Sequence, residues 1–81
     1  MKLTDAQNAA FMNDPRRVAA EKELHESVAR IRNALKFDGN AGYYLSVLPP
    51  LIKQLEDANE GLITAEATVE AEILGKERYH G

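Results

Sequence analysis

The sequence lacks cysteine and tryptophan, and it holds only two histidines, His25 and His80, in 81 residues. Without cysteine the chain cannot form a disulfide, and two histidines give little basis for a structural metal site. A domain of this size buries only about 60% of the surface that its unfolded chain exposes, and many such domains rely on a disulfide, a metal or a partner chain. We therefore expect one domain that forms a homo-oligomer.

An excess of basic charge is also absent, because 13 acidic residues outnumber 10 basic ones and the net charge is -3. This balance argues against direct nucleic-acid binding, since such proteins usually carry a basic stripe. No apolar run approaches the roughly 18 residues of a membrane span. The first residues lack the apolar region of a signal peptide. The sequence therefore predicts a protein without membrane association and with a cytoplasmic location.

Signatures of catalysis or cofactor binding are missing as well. His25-Glu26 could begin a zinc-protease motif, but the second histidine that the motif needs one turn later is replaced by Ala29. Gly39 and Gly42 lie between two predicted helices and not after a strand, so they indicate a turn, not a phosphate loop. We expect neither an enzyme nor a cofactor.

Apolar residues recur at alternating spacings of three and four in two parts of the chain. This spacing lays one apolar stripe along a helix, at a period close to that of coiled coils. The first stripe comprises Leu24, Val28, Ile31 and Leu35. The second comprises Leu51, Leu55, Ala58, Leu62, Ala65 and Val69. Two such stripes predict an all-α fold in which two long helices form an antiparallel hairpin.

Capping residues predict where the first two helices begin. Thr4 followed three residues later by Gln7 is typical of a capping box, and a short helix over about 5–12 follows. Asp14-Pro15 combines a good N-cap with a residue suited to the first helical position. The sequence therefore predicts a second helix over 15–37.

Two consecutive prolines interrupt the helical pattern in the second half of the chain. Proline cannot donate a helix hydrogen bond, and the residue before it avoids helical geometry. We expect a short helix over 41–47, a kink at Pro49-Pro50, a long third helix over 50–75 and a frayed tail over 76–81. Whether 41–47 is separate or continuous with the third helix is open at this point.

The third predicted helix carries a strong acidic excess. It holds one basic and six acidic residues, whereas the segment 15–37 holds six basic and three acidic residues. The antiparallel hairpin can pair part of this charge, and the surplus would face solvent and could attract a basic protein partner. The candidate partner-binding residues are Glu56, Asp57, Glu60, Glu66 and Glu70. Surplus apolar residues on the same helix are candidates for an oligomer interface, namely Leu62, Ile63, Val69 and Ile73.

These observations favour a binding protein that acts through protein–protein contacts. Small cysteine-free chains of this kind are common among phage and mobile-element accessory proteins, so inhibition or modulation of a host factor is one expectation. A structural or assembly component of a virion is another.

A different reading is an oligomer that sequesters a small anionic ligand. The predicted arrangement of one short helix and a helical hairpin resembles phage anti-defence proteins that sequester cyclic nucleotides. This resemblance implies a nucleotide ligand and rests on architecture, not on a shared motif. Basic and aromatic side chains would be needed to hold such a ligand. The candidates are Arg16, Arg17, Tyr43 and Tyr44.

Overall fold

Three helices and no strand make up the part of the chain that the structure describes, residues 3–79, with side chains over 3–75. In this computed structural model, α1 spans Asp5–Asn13, α2 spans Pro15–Lys36 and α3 spans Ala41–Tyr79. The all-α fold with a long antiparallel hairpin is therefore confirmed. Over the described residues, none of the helices has an apolar stretch that could cross a bilayer.

The first two helices begin where the capping residues predict. The Thr4 hydroxyl accepts a hydrogen bond from the Gln7 amide at 3.1 Å, and the Gln7 side chain accepts one from the Thr4 amide at 2.9 Å. The Asp14 carboxylate accepts a bond from the Arg16 amide at 2.9 Å. Each interaction satisfies a backbone donor that the first helical turn leaves without a partner.

The third helix is continuous through both prolines. Of the two alternatives left open for 41–47, the structure shows the continuous one, and the third helix begins at Ala41 and not at residue 50. Pro49 and Pro50 leave the carbonyl groups of Leu45 and Ser46 without helix donors, but both residues are exposed and water can reach them. Half-buried neighbours on both sides of the prolines pack towards α2, and this packing outweighs the local preference for a break. α3 extends past residue 75 to Tyr79. Of the frayed tail predicted over 76–81, residues 80–81 lie outside the described part.

Cross-helix side-chain contacts define the antiparallel register of α2 and α3. Arg30 Nη1 donates to Gln54 Oε1 at 3.2 Å, and Arg17 Nη1 lies 3.8 Å from Glu66 Oε2. Small side chains occupy much of the buried seam, and Ser27 is fully buried. Small residues allow two helix backbones to approach closely, and this gives the hairpin a narrow core.

The predicted stripe of α3 does face α2: every one of its six residues is buried or half-buried. The stripe of α2 is correct for Leu24, Val28 and Ile31 but wrong at its end. Leu35 is 57% exposed, and the neighbouring Ala34 is buried instead. Ala34 lies seven residues after Ser27, so the seam keeps the heptad spacing there.

Candidate protein-binding surfaces

Three carboxylates form an outward-facing acidic surface on α3. Glu56, Asp57 and Glu60 are exposed and, together with Lys53 and Asn59, line a shallow depression of about 390 Å³. Lys53 Nζ lies 2.8 Å from Asp57 Oδ1, and this hydrogen bond raises the pKa of Lys53. One ammonium against three carboxylates leaves this surface with a net negative charge. We call Glu56, Asp57 and Glu60 the acidic face.

The other two predicted acidic residues do not belong to this face. Glu66 is half-buried beside Arg17, so its position serves the packing of the hairpin. Glu70 is exposed, but ten residues separate it from Glu60, which rotates it about 80° around an ideal helix. The structure thus gathers three of the five predicted residues into one surface.

The four residues predicted for an oligomer interface are placed differently from one another. Val69 is 1% exposed within the single chain, so its side chain is not on the surface and its prediction as an interface residue is corrected. It lies near Ala10 of α1, which helps to cover this end of the hairpin. Leu62 and Ile73 are half-buried, and Ile63 is 57% exposed.

A row of exposed apolar side chains on α3 lies outside the main seam. Leu45, Ile52 and Ile63 follow one another at spacings of 7 and 11 residues, which return to nearly the same direction on a helix with 3.6 residues per turn. Leu45 is 76% exposed. Of these three residues, only Ile63 was among those predicted for the oligomer interface. The sequence does contain the pattern that identifies the other two, because the three positions form a second apolar stripe beside the first.

The residues predicted for an anionic ligand do not converge within one chain. Arg16 and Arg17 begin α2, whereas Tyr43 and Tyr44 follow its end, so about 20 residues of helix, or roughly 30 Å, separate the two pairs. Arg16 is paired with Asp14 and Glu72, and Arg17 is buried. These four side chains cannot contact one small ligand together in a single copy of the chain.

The two tyrosines instead close the hairpin. The Tyr44 hydroxyl donates to the Phe37 carbonyl oxygen at 2.6 Å, and the rings of Tyr43 and Phe37 are 4.9 Å apart. The Tyr43 amide also donates to the Asn40 side chain at 3.0 Å. These contacts fix the connection between α2 and α3.

A groove of about 660 Å³ lies between α2 and α3. Small residues form much of its floor, including Ala58 and Gly61, and Asp57 of the acidic face also lines it. Arg30 reaches Glu23 at 3.3 Å as well as Gln54. The arginine charge in this groove is therefore already engaged within the chain.

Clusters of metal-ligating side chains are absent from the described residues. Comparisons with protein-family models, curated proteins and solved structures find no match for this chain. The function has to be argued from the surfaces themselves.

Proposed function

We propose that this chain is a binding protein whose acidic face docks on a basic surface of another protein. The observation that carries the proposal is the outward position of Glu56, Asp57 and Glu60 with a single lysine among them. Their carboxylates are exposed, so they can meet a partner without any rearrangement of the hairpin. Modulation of a host factor by occlusion of such a surface is the activity we assign to it.

The charge distribution of the two long helices supports this role. Over the described side chains, α3 carries a balance of -5 and α2 a balance of +3. Pairing with α2 accounts for Glu66 and Glu72, whereas no residue of the acidic face forms an ion pair with α2 in the described part of the chain. Carboxylates that the fold does not use for its own packing raise the rate of encounter with a cationic surface.

The test compares two charge reversals of equal size. Proteins retained from a cell extract by the immobilised chain are identified, and the association rate of each purified partner is measured with the native chain, Glu60→Lys and Asp38→Lys. Asp38 lies in the connection between α2 and α3, so it changes the net charge equally at another place. We expect Glu60→Lys to slow association about tenfold or more and Asp38→Lys to have a much smaller effect.

Salt provides the second arm of the test. Raising the ionic strength from about 0.1 M to 1 M shortens the Debye length from about 10 Å to 3 Å and should slow the association of the native chain. The slowing should be weaker for Glu60→Lys. Equal effects of Glu60→Lys and Asp38→Lys on the association rate would show that the acidic face is not the binding surface. An association rate that does not change with ionic strength would show the same.

A further inference from the structure

The molecule exposes more surface than a folded monomer of its mass usually does. Its accessible surface is 6052 Å², whereas the usual scaling for a 9.0 kDa monomer gives about 4,900 Å². The shape explains the difference, because the chain extends over 61 × 19 × 17 Å. The excess of roughly 1,200 Å² is enough to supply one side of a stable dimer interface, which needs about 800 Å² per partner.

Four exposed apolar residues lie on the same broad side of the hairpin. Arg17 and Glu66 identify this side, because they approach each other across the two helices. Leu35 lies 18 residues, or five full turns of α2, after Arg17 and therefore points in the same direction. Ile63 lies three residues, or just under one turn of α3, before Glu66. Ile52 and Leu45 continue the direction of Ile63 towards the closed end of the hairpin. We call Leu35, Leu45, Ile52 and Ile63 the apolar side.

We infer that the apolar side is the contact surface for a second copy of this chain, in a dimer whose twofold axis runs parallel to the helices. This symmetry lays α2 of one protomer against α3 of the other in antiparallel orientation. The result is a four-helix bundle in which the narrow core of each hairpin becomes part of a larger one. The apolar side meets the acidic face at Glu56, whereas Glu60 points away from it, so variants at Glu60 and at Ile52 separate this inference from the partner proposed above.

Charge selects this arrangement over one that pairs α3 with α3. Two α3 helices, each with a balance of -4 from three basic and seven acidic residues, would repel each other, whereas α2 with +3 complements α3. At the rim, Arg32 lies one turn from Leu35 and Glu56 lies one turn from Ile52. Arg32 forms no ion pair within the described residues, which leaves its guanidinium available to the partner's Glu56.

Arg32 and Glu56 also lie at the same level along the helix axis. A twofold axis parallel to the helices leaves the position of each residue along that axis unchanged, so the register between α2 and α3 within one hairpin also applies between the two protomers. Arg32 and Glu56 have the same antiparallel offset as Arg16 and Glu72, which do form an ion pair within the chain. Two such rim pairs, related by the symmetry, would flank the apolar contact.

Sedimentation equilibrium at micromolar concentration tests the dimer. We expect the native chain to have twice the 9.0 kDa mass of one copy. Ile52→Glu should weaken dimerisation at least tenfold, and so should Leu45→Glu, whose side chain is too exposed to matter for the fold of one hairpin. Thr64→Glu is the matched control, because Thr64 is exposed but lies about 100° around α3 from Ile63. It should remain dimeric.

A charge swap tests the arrangement of the helices. Arg32→Glu and Glu56→Arg should each weaken the dimer, and the double variant should restore it to within a few-fold of the native affinity. A monomeric native chain, or a dimer indifferent to both Ile52→Glu and Leu45→Glu, would overturn the inference. Lack of restoration in the double variant would overturn the pairing of α2 with α3. Glu60→Lys should stay dimeric, which separates this result from the partner-binding proposal.

Discussion

The buried guanidinium of Arg17 donates two hydrogen bonds to the backbone carbonyl oxygen of Met12, from Nε at 3.2 Å and from Nη2 at 3.1 Å. Met12 lies in the last turn of α1, where carbonyl groups lack helix partners. The same guanidinium bonds Glu21 at 2.5 Å and lies 5.8 Å from the centre of the Phe11 ring. Through its further approach to Glu66, Arg17 joins all three helices.

Replacement of Arg17 by methionine should detach α1 from the hairpin. Methionine retains much of the volume of the arginine but cannot donate a hydrogen bond, so the Met12 carbonyl loses both donors and Glu21 loses its partner. We expect a loss of about 2 kcal/mol in the free energy of unfolding, as for other buried hydrogen-bonded groups. Hydrogen exchange should show reduced protection of the α1 amides, while most of α2 and α3 stays protected.

Arg17→Lys and Arg32→Met complete this experiment. Lysine keeps the charge but cannot form the planar fork, so its loss should be intermediate. Arg32 is exposed, and its replacement should leave the protection of α1 unchanged. If Arg17→Met leaves α1 as well protected as in the native chain, the helix must be held by Phe11 and its other apolar contacts instead.

The helices could be predicted from the sequence, but the role of Arg17 in joining them was only partly visible. Capping residues and apolar spacing gave the starts of α1 and α2 because both signals are local. Opposite charge predicted pairing between the two long helices, and the approach of Arg17 to Glu66 is one such pair. Its burial depends on the docking of α1 onto two helices, which is a tertiary effect that spacing along one helix does not encode.

The residues of the acidic face could also be predicted only in part from the sequence. Composition identified α3 as acidic, but which carboxylates face α2 depends on the rotation of the helix and on its register. Whether α3 continues through Pro49-Pro50 could not be decided from the sequence, because the local preference of the prolines and the packing on both sides of them act in opposite directions. Val69 was assigned to an interface because α1 was not known to cover it.

Replacement of Pro49 and Pro50 by alanine should stabilise the chain. Because α3 already runs through both positions, the double variant restores two helix hydrogen bonds without altering the path of the chain. Each proline costs up to about 3 kcal/mol inside a helix, although the greater freedom of the unfolded alanine chain offsets part of the gain. Circular dichroism should show a higher melting temperature and nearly the same helix content.

Pro15→Ala is the control for this change. Pro15 stands at the start of α2, where its missing N–H group has no helix partner to lose, so alanine should bring no gain. A lower melting temperature for the Pro49→Ala/Pro50→Ala variant would mean that the prolines are needed to fit α3 against α2.

Gly61→Ala should also stabilise the chain, by about 0.5–1 kcal/mol. Gly61 lies inside α3, and a Cβ atom built there has no neighbour within 4 Å. Gly39→Ala makes an informative contrast, because its Cβ would lie 2.8 Å from Cγ of Tyr43 and force the ring to move. Denaturant unfolding should therefore give opposite signs for the two variants. A loss of stability for Gly61→Ala would indicate that a second chain approaches the groove closely.

Acid should weaken the junction between α1 and α2 once the pH falls below about 4.5. A hydrogen bond from Arg16 lowers the pKa of Asp14, and one from Arg17 lowers the pKa of Glu21. Because both folded-state pKa values lie below the ordinary values of 3.8 and 4.5, the two groups contribute stability that is fully present above those values. That contribution is lost as the pH falls through the lower folded-state values.

We therefore expect the melting temperature to be nearly constant from about pH 7 to pH 5 and to fall below about pH 4.5. The variant Asp14→Asn/Glu21→Gln should melt lower at neutral pH and show a shallower fall in acid, because asparagine still caps α2 but neither amide can lose a charge. Glu60→Gln, which changes an exposed carboxyl group outside the junction, should keep the native profile. Melting curves recorded by circular dichroism across this range decide the matter, and an equally steep fall in the double variant would assign the acid sensitivity to other carboxylates.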